Sequence, residues 1–138
     1  MKYPLALLAI SFFAITSAQA APPMPTSLEA AEPLRLSRTF RMDRVTNLNG
    51  FAAVERGKCS TPVAVDGRLH TISVPIFVLI SGEGQIARVV PLNTDCPALD
   101  TIAAKEQIRR MQGNTPVPAD RQPHWYWTRM DFAVEFDG

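Results

Sequence analysis

The chain has 138 residues, of which 46% are hydrophobic and 20% charged, a composition typical of a folded globular protein. It carries 14 Lys and Arg against 13 Asp and Glu, so its net charge of +1 offers no strong field to a polyanion. This balance disfavours non-specific nucleic-acid binding as the main function. The length suits one domain.

The first 20 residues have the organisation of a secretory signal peptide. Lys2 supplies a positive charge, residues 5–15 are almost continuously apolar, and Ala18-Gln19-Ala20 matches the small-residue cleavage pattern. We therefore expect cleavage after Ala20, a periplasmic or secreted location, and no stable membrane insertion afterwards. A retained anchor is the alternative, but the apolar run is shorter than the roughly 20 residues that a spanning helix needs.

Two cysteines, Cys59 and Cys96, remain in the mature chain. In an oxidising compartment such a pair is expected to form a disulfide. A metal site shared with His70 and His124 is the alternative, but the spacing of the four residues matches no ligand motif. We predict the disulfide, and neither a metal nor a cofactor.

The distribution of prolines divides the mature chain near residue 33. Residues 21–33 contain four prolines among small and acidic residues, and we interpret them as a flexible leader without a packed element. We assign residues 34–138 to a single domain. Its first residues alternate as a half-buried strand does, with an apolar face formed by Leu34, Leu36, Phe40 and Met42.

Four arginines recur at every third position along this stretch and just after it: Arg35, Arg38, Arg41 and Arg44. They could form a basic, ligand-facing stripe, but a solvated strand surface explains them more simply. Residues 45–70 give a weaker signal, since Asn47, Asn49, Gly50 and Gly57 interrupt short apolar pieces. Within them, residues 63–67 indicate a short strand that enters a tight turn.

Residues 71–92 predict a β-hairpin. The first strand is rich in β-branched residues, residues 81–84 contain two glycines that suit a turn, and residues 85–92 alternate as the return strand. Pro75 cannot donate a ladder hydrogen bond, so its amide position is expected at a sheet edge or a bulge. One face of the first strand carries Val74, Ile76, Val78 and Ile80, and the other carries Phe77 and Leu79.

A helix is predicted next, with Thr94 or Asp95 as its cap and Pro97 at its first position, ending before Gly113-Asn114. After a proline-bearing loop, residues 124–136 predict a long amphipathic strand. Its inner face carries Tyr126, Met130, Phe132, Val134 and Phe136, and its outer face carries Trp125, Trp127, Arg129, Asp131 and Glu135. The predicted fold is α+β, an antiparallel sheet with a hairpin, one covering helix and a long C-terminal strand.

Residues 70–138 resemble the C-terminal domain of the TonB family. The resemblance rests on the strand Val-Pro-Ile-Phe-Val-Leu-Ile at residues 74–80, Gly-Glu-Gly-Gln-Ile at 82–86, Cys-Pro-Ala-Leu-Asp at 96–100, and Met-Asp-Phe-Ala-Val-Glu-Phe at 130–136. It implies a periplasmic interaction domain whose final strand pairs with a short peptide of an outer-membrane receptor. The partner-binding residues would be Trp125, Trp127, Thr128, Arg129 and Asp131.

Two features depart from a full energy transducer of this family. The apolar N-terminal segment is cleavable, and only residues 21–33 resemble the long proline-rich spacer, with an extended reach of about 40 Å at ~3.1 Å per residue. We therefore expect a stand-alone periplasmic relative, accessory to TonB-dependent transport.

Other functions remain open. Trp125 and Trp127 could stack against a peptidoglycan or other glycan strand, and a small disulfide-bonded chain could be an inhibitor or immunity-type protein. Catalysis is not expected, because the candidate acids, bases and nucleophiles lie in no catalytic motif. Those candidates are His124, His70 with Asp66, Ser60 and Ser73.

Overall fold

The structure is a computed structural model that describes residues 20–137, so the predicted signal peptide lies outside it except for Ala20. Within those residues, no helix combines the length and apolar character needed to cross a membrane. In chain order the elements are a 3-10 turn at Leu28–Ala30, β1 (Glu32–Pro33), α1 (Arg44–Arg56), β2 (Ala64–Asp66), β3 (Leu69–Ile80), β4 (Ile86–Pro91), α2 (Pro97–Met111) and β5 (His124–Glu135).

The five strands form one sheet around β3. β5 pairs antiparallel with all of β3, from Glu135 opposite Leu69 to His124 opposite Ile80. On its other side, β3 pairs antiparallel with β2 at its beginning and with β4 at its end. The short β1 runs parallel to β5 at the border of the sheet. The predicted α+β class is confirmed.

The predicted hairpin is confirmed as β3 and β4. Its turn is closed by Ser81, whose N–H donates to the Gln85 carbonyl at 2.8 Å. Pro75 lies where the pairing of β3 passes from β2 to β4, and its carbonyl accepts from the Leu92 N–H at 2.8 Å. Its ring nitrogen therefore also points away from β5, so Pro75 costs no hydrogen bond in the long β3–β5 ladder.

Both helices cover the same face of the sheet, which we call the front face. The main core there combines alternate β3 and β5 residues with Ala53 of α1 and with Leu99, Ala103 and Met111 of α2. The β-strand residues of this core that are 0% exposed are Ile72, Val74, Ile76, Val78, Ile80, Met130 and Phe132. The predicted division of β3 into two faces follows this packing.

Helix α1 was not predicted from the sequence. It begins after Asp43, whose side chain accepts from the Thr46 N–H at 2.8 Å; this bond lowers the pKa of Asp43. The helix contains Gly50, where a Cβ atom would lie 2.4 Å from the Phe132 ring. Glycine therefore allows α1 to approach β5 closely, which explains a residue that otherwise disfavours helix.

Residues 34–43, predicted as a strand, form an irregular segment. Leu34, Leu36 and Met42 nevertheless pack against the main core, which explains the alternation. The segment leaves the sheet after Leu34, and its Ser37 N–H donates to Asn114 Oδ1 at 2.9 Å, beyond the end of α2. A segment lying along the core border can bury every second side chain without a pairing partner. All four arginines are exposed and none lies on a strand: Arg35, Arg38 and Arg41 belong to this segment, and Arg44 begins α1.

The structure confirms the disulfide between Cys59 and Cys96, with Cα atoms 5.4 Å apart. It joins the segment after α1 to the residue that immediately precedes α2. The predicted helix cap was misplaced, because Cys96 occupies the N-cap position and Pro97 follows it. Thr94 instead donates its hydroxyl to the Asp100 carboxylate and accepts from the Cys96 N–H at 3.3 Å.

Candidate interaction site on strand β5

The outer edge of β5 is occupied at two places. Near its start, the Leu34 N–H donates to the Trp127 carbonyl at 2.8 Å, continuing the pairing with β1. Near its end, the Ala133 N–H donates to Asn47 Oδ1 of α1, also at 2.8 Å. β1 and α1 therefore close the two ends of this edge.

Between those two contacts, Arg129 and Asp131 also direct their backbone N–H and C=O groups outward, because alternate residues of a strand point the same way. No strand or side chain among residues 20–137 pairs with these backbone groups. We call this part of the edge, from Arg129 to Asp131, the open stretch. It offers a partner two donors and two acceptors from the main chain.

Side chains at the open stretch are polar on one face of the sheet and apolar on the other. Arg129 Nε lies 3.2 Å from Asp131 Oδ1, which also accepts from the Ser73 hydroxyl at 2.6 Å. Both charged residues are exposed, while Thr128 on the front face is half-buried beside the buried Met130. The structure thus brings together three of the predicted partner-binding residues, Thr128, Arg129 and Asp131.

A cleft adjoins each end of the open stretch. The cleft at the start of β5, about 430 Å³, lies between β1 and the loop after α2, and Tyr126 forms part of its wall. The cleft at the end of β5, about 450 Å³, lies between α1 and β5 and contains Arg44, Asn47 and Glu135. A peptide on the edge would therefore have room for a side chain at either end.

The first cleft has a carboxylate rim. His124 Nε2 lies 2.8 Å from Asp120 Oδ1. A hydrogen bond from the Gln122 N–H, followed by the bond to His124, holds the pKa of Asp120 below its ordinary value. Burial, assisted by the carboxylates of Glu32 and Asp120, raises the pKa of Tyr126.

The candidate catalytic residues do not converge on one another. His70 packs edge-on against Phe136, with ring centroids 4.8 Å apart, and Ser73 is bonded to Asp131. Within the described part of the chain, no three His, Cys, Asp or Glu side chains are grouped so as to hold a metal ion.

The sheet face opposite the helices, which we call the back face, carries a second and smaller cluster. Phe77, Leu79 and Trp125 are buried in it, and Trp127 packs at its border. Trp125 is only 7% exposed, so the structure places it under a cover and not on an accessible rim. Strand alternation had indicated its face correctly but could not show that the face was covered.

The cover of the back face is the N-terminal segment. Leu28 and Ala31 pack against the back-face cluster, and the Pro22 carbonyl accepts from Trp125 Nε1 at 2.9 Å. The interpretation of residues 21–33 as a leader without a packed element is therefore wrong, since they include the 3-10 turn and β1. Prolines prevent regular hydrogen bonding, but they do not prevent packing against an aromatic ring.

Comparisons of the chain with protein-family models, with curated proteins and with solved structures found no match. The geometry of β5 and of the back face is thus the basis for assigning a function.

Proposed function

We propose that this chain is an exported protein-interaction domain that binds an extended segment of a protein partner along the open stretch of β5. The observation that carries this proposal is that no group among residues 20–137 pairs with the outward backbone of Arg129 and Asp131, which lies between two occupied ends of the same edge. An unpaired strand edge is a template for another strand, and strand addition is an established mode of peptide recognition.

The length of the open stretch sets the affinity that its backbone can provide. Its two donors and two acceptors allow about four main-chain hydrogen bonds, each contributing about 1 kcal/mol net. About 4 kcal/mol corresponds to a dissociation constant of about 1 mM. Side chains of the partner must supply the rest, and the two flanking clefts offer space for them.

The resemblance to TonB C-terminal domains suggests the partner. In that family the terminal strand pairs with a short peptide of an outer-membrane receptor, and here the open stretch belongs to the terminal strand of the described residues. The order of hairpin, helix and terminal strand in the structure supports the same proposal. We therefore propose a periplasmic location, with a receptor segment as partner and a role accessory to TonB-dependent transport.

Titration of the isotope-labelled mature protein with synthetic peptides tests this function. The peptides would copy the periplasmic N-terminal segments of outer-membrane receptors from the host. We expect saturable backbone amide shifts centred on Arg129 and Asp131. Shifts centred on the hairpin turn at residues 82–84, with β5 unaffected, would contradict the proposal, because the peptide would then bind at the hairpin and not at the β5 edge.

A proline substitution sharpens the test, because the direction of each backbone N–H in β5 is known. Arg129→Pro removes an outward donor and spares the β3–β5 ladder, so peptide binding should weaken about fivefold, equivalent to about 1 kcal/mol. Arg129→Ala removes the side chain but keeps the donor, and is the matched control. Thr128→Pro removes an N–H that faces β3 and should destabilise the fold instead. Unchanged affinity in a folded Arg129→Pro variant contradicts strand addition here.

A further inference from the structure

Trp125 on the back face is hydrogen-bonded to a proline-rich segment of its own chain. Its indole Nε1–H donates to the Pro22 carbonyl at 2.9 Å, across 103 positions of sequence. Pro22, Pro23 and Pro25 line a cleft of about 510 Å³ together with Trp125. Residues 21–25 have no regular secondary structure, as the three prolines require.

This pairing has the chemistry of polyproline recognition. Each proline has a fixed φ and lacks an N–H, so a proline-rich segment presents its carbonyls to partners at low entropic cost. Domains that bind such segments use grooves lined by aromatic rings. An indole is well suited to this task, because its ring packs on the pyrrolidines while its N–H donates to a carbonyl.

The sheet itself holds Trp125 in position. The Phe77 ring meets the indole edge-on, with centroids 6.3 Å apart, and the Arg88 guanidinium carbon lies 5.6 Å from the indole centroid. Phe77 and Arg88 belong to β3 and β4, which pair with each other in the sheet. The aromatic wall is therefore formed by strand residues of the sheet, and the Pro22 carbonyl is bonded to its indole.

We propose that this surface, the Trp125 groove, is a polyproline-binding site which residues 22–25 of the same chain occupy. The partner that fits it is a proline-rich segment of another protein, with two adjacent prolines and a third two positions later. Such a segment must compete with residues 22–25 of this chain. These residues have an effective concentration in the millimolar range, because a short linker joins residue 25 to β1. Binding in trans is then coupled to release of the N-terminal segment.

The test uses the full exported chain, in which substitutions weaken the binding of its own residues 22–25 to the Trp125 groove. Replacing the three prolines by glycine, as Pro22→Gly/Pro23→Gly/Pro25→Gly, disfavours the extended conformation without shortening the chain. The probe is the synthetic peptide Ala-Pro-Pro-Met-Pro-Thr, a copy of residues 21–26. We expect it to shift the Trp125 indole N–H resonance saturably, with at least tenfold higher affinity for the glycine variant than for the unsubstituted chain.

Two tryptophan variants provide a matched control in the glycine background. Trp125→Phe keeps an aromatic ring but removes the donor, so peptide affinity should fall about fivefold. Isothermal titration calorimetry measures the affinity of both variants, because Trp125→Phe has no indole N–H resonance to follow. Trp127→Phe, two residues along the same face, should leave the affinity unchanged, because the indole bonded to the N-terminal segment is that of Trp125. Equal losses in the two variants would contradict recognition through the Trp125 N–H.

The glycine variant must also remain folded, which the dispersion of its backbone amide resonances reports. If it remains folded and millimolar peptide leaves the Trp125 resonance unmoved, the proposal is overturned, and residues 22–25 are a structural cover only. If it unfolds, Pro23→Gly alone undergoes the same titration with the same criterion. Because the readout is the Trp125 indole rather than the Arg129 amide, failure here is distinct from failure of strand addition.

Discussion

The two faces of the sheet are covered by different kinds of structure. On the front face, two helices enclose a core whose strand residues are fully buried, and a disulfide holds the start of α2. On the back face, the proline-rich N-terminal segment packs on a smaller cluster, whose buried members among the described residues are Phe77, Leu79 and Trp125. The difference indicates that stability is concentrated on the front face, whereas the back face and the β5 edge are the two surfaces at which we propose recognition.

Phe132→Ala should give the largest loss of stability. Phe132 is 0% exposed on the front face and lies against Gly50 of α1, so the cavity should cost about 3–5 kcal/mol. Urea denaturation measures this free energy. The matched control is Phe136→Ala at a residue 44% exposed, which should cost about 1 kcal/mol or less. Similar losses in both variants would contradict the dominance of the front-face core.

Removal of the disulfide should have the next largest effect. The bond between Cys59 and Cys96 spans 37 positions, and its loss should cost about 2–4 kcal/mol, because the unfolded chain gains freedom. The double variant Cys59→Ala/Cys96→Ala avoids a free thiol. Reducing agent should destabilise the unsubstituted protein by a similar amount and leave the double variant unchanged. Two freely alkylated thiols in the native protein would show that the bond does not form in the cell.

The long strands of the sheet and helix α2 were predictable because the sequence patterns that indicate them are local. Period-two alternation identified the hairpin and β5, and Pro97 indicated the beginning of α2. Helix α1 was missed because two of its residues serve distant parts of the fold. Gly50 makes room for Phe132, and Asn47 bonds the Ala133 backbone, so neither position is filled by a strong helix former.

The candidate site was predictable to a similar extent. Alternation along β5 placed Arg129 and Asp131 on one face, and the structure adds that their backbone groups lie on the open edge. Covering of Trp125 by Pro22 depends on a contact across 103 positions, for which no local pattern exists. A proline-rich segment shows no hydrophobic periodicity. Sequence patterns therefore indicate a linker even where such a segment packs against the fold without regular hydrogen bonding.

The smallest expected effect concerns the back face, where Leu28 packs half-buried on the cluster around Trp125. Leu28→Ala should reduce the free energy of unfolding by only about 1 kcal/mol, because the Leu28 side chain is only partly buried and the substitution removes only part of that buried apolar area. Met24→Ala, at a residue 42% exposed, is the control and should have almost no effect.

The fluorescence of Trp125, recorded in a Trp127→Phe background, distinguishes a detachable cover from an integral one. If the N-terminal segment can leave while the front-face core stays folded, Leu28→Ala should shift Trp125 emission to longer wavelength well below the unfolding temperature. Local opening of this kind is expected where few apolar contacts hold a segment. If Trp125 emission and the far-ultraviolet circular dichroism instead change together in one transition, the cover is part of the cooperative fold. The two faces would then differ only in the apolar area that they bury, and the proposed division between a stabilising front face and a recognition surface on the back face would be contradicted.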